Sequence, residues 1–208
     1  MRLHPSKIIA GIVAFTGVVV LLGWMFHIEV IKSILPIWVT MKVSTAIAFI
    51  FSGLIVYGLV LALDDPTNTL VLFLPIFSMI VLLIMVTHLI AVVFDLKLGI
   101  ETVFVFEPNG AVQTAVAGRP SIPTMGNFMA IACLGILAVM NFPYMHLLRL
   151  CIGWVVSCIG CLAVIGYLVT RPVLYYYVPG VNTAMAMHTA ILFVLLGVSL
   201  ILLRARKK

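Results

Sequence analysis

Six stretches of the chain are long and apolar enough to cross a lipid bilayer, and they constrain the fold more than any other feature. They run Ile8 to Phe26, Val43 to Leu63, Leu70 to Phe94, Pro123 to Met140, Leu147 to Thr170 and Thr183 to Leu203. A spanning helix needs about 20 predominantly apolar residues. Charges, Pro, Gly or Asn bound each stretch, and such residues punctuate helices. Composition agrees: 64% of the 208 residues are hydrophobic and only 9% are charged, against about a quarter charged in soluble domains. So few charges cannot cover a water-soluble globule of this size. In lipid every backbone N–H and C=O has to be satisfied internally, which selects helices packed on helices. The expected fold class is therefore an all-α membrane protein of six transmembrane helices. Pro75 falls inside the third stretch and is expected to kink it. The first stretch is too long for a cleaved signal peptide and lacks a small-x-small site after it.

The net charge of +6 does not read as nucleic-acid binding. The basic residues are spread over loops and termini, and their one cluster, Arg204, Arg206, Lys207 and Lys208, directly follows an apolar stretch. That placement anchors a helix in an anionic cytoplasmic headgroup layer. With both termini inside, the cytoplasmic side holds Arg2, Lys7, Arg149 and that cluster, seven in all, against five outside: Lys32, Lys42, Lys97, Arg119 and Arg171. The inner turns, Asp64–Thr69 and Asn141–His146, are short, and the outer connections are long. The expectation is a multi-pass protein of the cell's inner (plasma) membrane with both termini cytoplasmic.

The outer connections have a character of their own. His27 to Thr40 is amphipathic and reads as an interfacial helix. Asp95 to Ile122 is the longest, and its Thr102–Phe106 run, Pro108-Asn109-Gly110 and the following Ala-Val-Gln-Thr-Ala-Val suggest a small hairpin. Arg171 to Val181 carries Tyr175, Tyr176 and Tyr177, residues suited to a membrane–water interface.

The second, fourth and sixth stretches begin alike. Met41, Thr45, Phe49 and Gly53 recur every four residues, as do Met185, Thr189, Phe193 and Gly197; Pro120, Thr124, Phe128 and Ala132 are a weaker copy. The chain then reads as three repeated helix hairpins with amphipathic outer connections, about 8–63, 70–140 and 147–203, within a single transmembrane domain over 1–208. A small residue in the fourth slot admits a neighbouring helix closely, and a Thr near the helix start can cap it.

These patterns resemble the membrane-embedded N-terminal sensor region found ahead of many bacterial and archaeal histidine kinases and diguanylate cyclases. The resemblance rests on Gly23-Trp-Met-Phe-His-Ile, Ser33-Ile-Leu-Pro and Val39-Thr-Met-Lys with Thr45, Ala46 and Phe49. It continues in Leu96-Lys-Leu-Gly-Ile-Glu101 and Gly118-Arg119 ahead of Thr124. A third part is Tyr167, Pro172, Leu174-Tyr175 and Met185-Ala-Met-His-Thr-Ala190 with Phe193. Ser44 and Pro123 stand where that family usually has Asn. The resemblance implies a cytoplasmic output domain, but no phosphoacceptor histidine, ATP-binding region or cyclase motif occurs in these 208 residues. The expectation is a sensor without its own output domain, or the same scaffold serving as a subunit.

Intramembrane ionisable residues are the first functional candidates. His27, His88 and His188 all fall toward the outer side and His146 on the other. Imidazole suits iron, copper and zinc, and a haem or metal is one reading. A neutral His bonded to a neighbouring helix is the other, favoured by the absence of a paired HxxxH or a carboxylate-rich ligand set. Neither assigns a cofactor or a metal. Cys158-Ile-Gly-Cys161 lies mid-stretch and, with Gly153 and Ser157, reads as a small-residue packing stripe rather than a redox pair. No acid or base falls clearly at mid-membrane, and no Walker loop, nucleophile elbow or paired carboxylates within the helices occur, so neither transport nor catalysis is expected. Helices two, four and six enter from outside, so their N-terminal N–H groups gather at one depth. The candidate ligand site is His88, His188, Thr45, Thr124 and Thr189, fitting a quinone, a lipid or a haem edge.

Two functions follow. One is a membrane sensory or regulatory module that binds a small apolar ligand or partner helices. The other is an accessory structural subunit of a larger membrane complex, an enzyme or a photosynthetic assembly. Expected partners are the bilayer and other membrane subunits or further copies of the chain, not nucleic acid.

Overall fold

The computed structural model describes residues 5–64, 68–96, 99, 112–114, 116–140, 142–176 and 183–203. Among these the apolar stretches are all helical. They form α1 (Pro5–Met25), the single turn α2 (Glu29–Lys32), α3 (Val43–Asp64), α4 (Leu74–Val93), α5 (Ile122–Val139), α6 (Met145–Leu168) and α7 (Met187–Leu202). Short 3-10 turns precede α4 at Thr69–Phe73 and follow α6 at Pro172–Leu174. Five helices, α1, α3, α4 with its leading turn, α5 and α6, are long and apolar enough to cross a membrane.

The helices pack as neighbours in an antiparallel bundle. The broadest contacts join α1 to α3, α4 to α5 and α6 to α7. Narrower ones join α3 to α4, α5 to α6 and α1 to α7, and α3 also meets α5 and α7 across the middle. Long connections leave from one end of the bundle and short ones from the other. The short-connection end is tied by Lys7 Nζ to Asp64 Oδ2 at 2.9 Å and by Ser6 Oγ donating to the Ser199 carbonyl at 3.0 Å.

Without a hydrophobic drive between helices in lipid, close backbone approach carries the association. Glycines provide it in two of the pairs. A Cβ on Gly17 would sit 2.7 Å from the Ala46 carbonyl, and one on Gly53 2.7 Å from that of Ala10. Between α6 and α7, a Cβ on Gly160 would lie 2.7 Å from the Ala190 carbonyl, and one on Gly197 2.5 Å from that of Gly153.

The long-connection ends of α1, α4 and α6 stop in the same way. His27, Asp95 and Thr170 take left-handed φ angles of 56°, 49° and 52°. The residue after each donates back across the last turn: Ile28 to Gly23 at 2.8 Å, Leu96 to Ala91 at 2.9 Å and Arg171 to Gly166 at 2.8 Å. This six-to-one bond satisfies a carbonyl the helix end leaves open. Two of the chain returns are then pinned by aromatic donors. Trp24 Nε1 donates to the Met41 carbonyl at 2.9 Å and Tyr167 Oη to the Met185 carbonyl at 2.8 Å.

Several expectations need correction. Pro75 does not kink a span: it sits in the first turn of α4, where its missing N–H is unpaired anyway. The segment from His27 to Thr40 contains only one helical turn, so no interfacial helix forms there. Ser121, not Thr124, caps α5, accepting from the Thr124 N–H at 3.4 Å, while Ala186, the N-cap of α7, has no side-chain cap bond. The sixth stretch is helical over 16 residues only, because Thr183 to Ala186 are not helical and Ala186 takes extended dihedral angles as the N-cap. Cys158 and Cys161 face outward; the packing stripe is Gly153, Ser157 and Gly160, all buried. Of the hairpin expected over 102–116, residues 102–111 and 115 lie outside the described residues, and Val112, Gln113, Thr114 and Val116 are not in a strand.

Candidate functional site at the long-connection end

Thr45, Thr124 and Thr189 are each the third residue of α3, α5 and α7, so they stand at equivalent depth in the helices that start from this end. All three are buried. One turn further in lie Phe49, Phe128 and Phe193, each fully enclosed. Their rings meet at the bundle centre, with centroids 4.7 Å (Phe49–Phe128), 4.8 Å (Phe128–Phe193) and 5.0 Å (Phe49–Phe193) apart. Edge-on and tilted rings at these separations are the favoured aromatic geometry. The four-residue spacing read from the sequence thus points its Phe positions inward on three helices.

Thr124 Oγ1 lies 2.7 Å from Ser121 Oγ, so the threonine and the cap residue share one hydroxyl pair. His88 is fully buried on α4, and Asn127, on the α5 helix that packs against α4, is buried with its Nδ2 lacking a partner among the described residues. His188 is the second residue of α7 and half-buried. Both of its ring nitrogens are enclosed, and no described residue hydrogen-bonds to either. His27 does not join this group: it is exposed and serves as the left-handed residue ending α1, a conformation His adopts more readily than most residues.

Three cations are also buried at this end. Lys32 sits 4.7 Å over the Trp24 ring and 2.6 Å from Glu29 Oε1. Lys42 Nζ donates to Thr114 Oγ1 at 3.0 Å. Arg119 Nη2 donates to the Leu96 carbonyl at 2.9 Å. These residues are not outer-surface charges: Lys32 holds its connection to α1 through Trp24, Lys42 ties the start of α3 to Thr114, and Arg119 closes the α4–α5 connection on itself at Leu96. The available signal was Lys42 standing between Met41 and Val43 at the start of an apolar stretch.

Hydroxyl, amide and imidazole groups are thus buried on α3, α4, α5 and α7, groups of the kind that small-molecule sites set in an apolar surround. Among the described residues no three His, Cys, Asp or Glu side chains gather as a metal-ligand set. The fold and the site define a multi-pass helical bundle built for a membrane. Comparison of the chain with protein-family models, curated proteins and solved structures finds no match.

Proposed function

We propose that the chain is a membrane-embedded regulatory module built as three repeated helix pairs. It binds a small, largely apolar ligand with a hydrogen-bonding head where α3, α5 and α7 begin, and passes its occupancy to a membrane partner. The observation that carries this reading is His188. An imidazole with both nitrogens enclosed and unmatched among the described residues costs the fold the desolvation of a polar group. A ligand head that bonds to it recovers that cost. The repeat is supported by position: Trp24 and Tyr167 close their returns on Met41 and Met185, and the same slot on α3, α5 and α7 holds the three central phenylalanines. Three pairs around one aromatic centre give a ligand at their shared end access to all of them.

The test is thermal unfolding of the purified chain in mild detergent with and without a short-tailed quinone or haemin. Stabilisation by one of these is expected for the native chain, and its loss is expected in His188→Leu, whose own baseline should be unchanged or raised. If neither probe stabilises the native chain, or if both stabilise His188→Leu equally, the reading fails.

A second reading, a subunit packed against other membrane helices, is favoured by Trp154. This residue is 60% exposed near the middle of α6, whereas Trp ordinarily occupies the membrane interface. A neighbouring helix that accepts from its indole N–H accounts for an exposed Trp at that depth. A photoreactive residue at position 154 in native membranes would crosslink to a protein under this reading and to lipid alone otherwise.

A further inference from the structure

We propose that the short-connection end of the bundle binds the anionic head of an amphiphile, a carboxylate or phosphate borne on an acyl chain, with Arg149 as the recognising group. A cavity of about 330 Å³ lies there, where α3 and α5 end and α6 begins. Leu59, Ala62, Ala138 and Phe142 form apolar walls, and Arg149 and His146 are its polar members. None of the five residues at the long-connection end lines it.

Arg149 is only 5% exposed. Its Nη1 donates to the Leu200 carbonyl, in the last turn of α7, where helix carbonyls lack intrahelical donors. That bond uses one of five N–H donors on a group that stays charged under all ordinary conditions. Neither ion pair among the described residues includes Arg149: Lys32–Glu29 lies at the opposite end, and at this end Asp64 is engaged by Lys7. An arginine that only snorkelled would extend its guanidinium to the headgroup layer; this one is enclosed beside a cavity. The planar fork suits bidentate bonding to an oxyanion better than any neutral head. His146, one turn earlier on the same helix and exposed, adds a donor at the mouth. The cavity is near the lower end of ligand pockets, about 300–1,000 Å³, so it holds a head and the first carbons while the remaining tail lies along the apolar walls into the membrane.

The ligand has two sources, a membrane lipid or a free amphiphile, and one experiment separates them. The full chain in mild detergent is incubated with phosphatidylglycerol, phosphatidylcholine or oleate, and retained molecules are read by native mass spectrometry. Retention of phosphatidylglycerol over phosphatidylcholine identifies a lipid headgroup; retention of oleate alone identifies a free amphiphile. Arg149→Gln should lower retention at least tenfold. Ala62→Phe, which fills the cavity without touching the guanidinium, should lower it as much, and carries the test if Arg149→Gln fails to fold. Retention of phosphatidylcholine equal to the anionic probes, no retention of any probe, or full retention by the folded Arg149→Gln chain would overturn the proposal and leave Arg149 as a cap for α7. The site is at the opposite end from His188, and the two proposals stand or fall separately.

Discussion

At the scale of single residues, the bundle depends on where side chains are missing. A Cβ on Gly197 would meet the Gly153 carbonyl at 2.5 Å and the Ser157 nitrogen at 2.7 Å. Both are backbone atoms of α6, so the helices themselves have to separate. Gly197→Ala should destabilise the chain by about 1–3 kcal/mol, the usual cost of overpacking, read as a lower unfolding temperature in detergent. Gly11 and Gly126 have nothing within 4 Å of the same position, and alanine there should be neutral or stabilising by up to about 1 kcal/mol through helix propensity. Equal behaviour of Gly197→Ala and Gly11→Ala would show that α6 and α7 do not depend on this approach. The inward placement of Phe49, Phe128 and Phe193 was legible because a four-residue spacing marks one face of a helix whatever surrounds it. Arg149 was not. Its meaning comes from α3, α5, α6 and α7 meeting in space, and a lone arginine in a helix-starting segment carries no trace of that.

At the scale of elements, the apolar stretches located the helices to within a few residues, since lipid leaves a polar backbone little choice. Their ends were harder to read. Glycine is the usual signal for a left-handed helix end, but here His27, Asp95 and Thr170 occupy that place, so the stop is written in backbone geometry rather than in residue type. The short α7 was concealed similarly: Thr183 to Ala186 are apolar enough to extend the run, yet they are not helical. The two aromatic latches should be separable from packing. Tyr167→Phe keeps the ring that stacks on Tyr175 at 3.9 Å but removes the bond to the Met185 carbonyl. A loss of about 1 kcal/mol is expected for one hydrogen bond. Faster deuterium exchange should appear at the start of α7. Unchanged exchange there would mean that the return is held without the hydroxyl.

At the scale of the whole molecule, the buried cations sharpen the orientation. Of the basic residues at the long-connection end, Lys32, Lys42 and Arg119 are buried and engaged by the chain itself. In the sequence, the other basic residues of the long connections are Lys97 and Arg171, and the termini carry Arg2, Arg204, Arg206, Lys207 and Lys208. A positive-inside count made on these residues favours cytoplasmic termini more strongly than the raw count. In a chain with its four native cysteines replaced, a cysteine at Val30, 77% exposed, should react with an impermeant thiol reagent in intact cells. One at Tyr144, 66% exposed, should react only after lysis. The reverse pattern would invert the assignment.

One helix bears on both proposed ligand sites. α7 begins beside His188, passes Phe193 in the aromatic centre, and finishes where Leu200 receives Arg149 and Ser199 meets Ser6. Its 16 residues make a rod about 24 Å long, too short to bend appreciably and anchored at each end by a different set of partners. His188 and the carbonyl that receives Arg149 thus belong to one rod, and the two ends of the bundle share a single structural member.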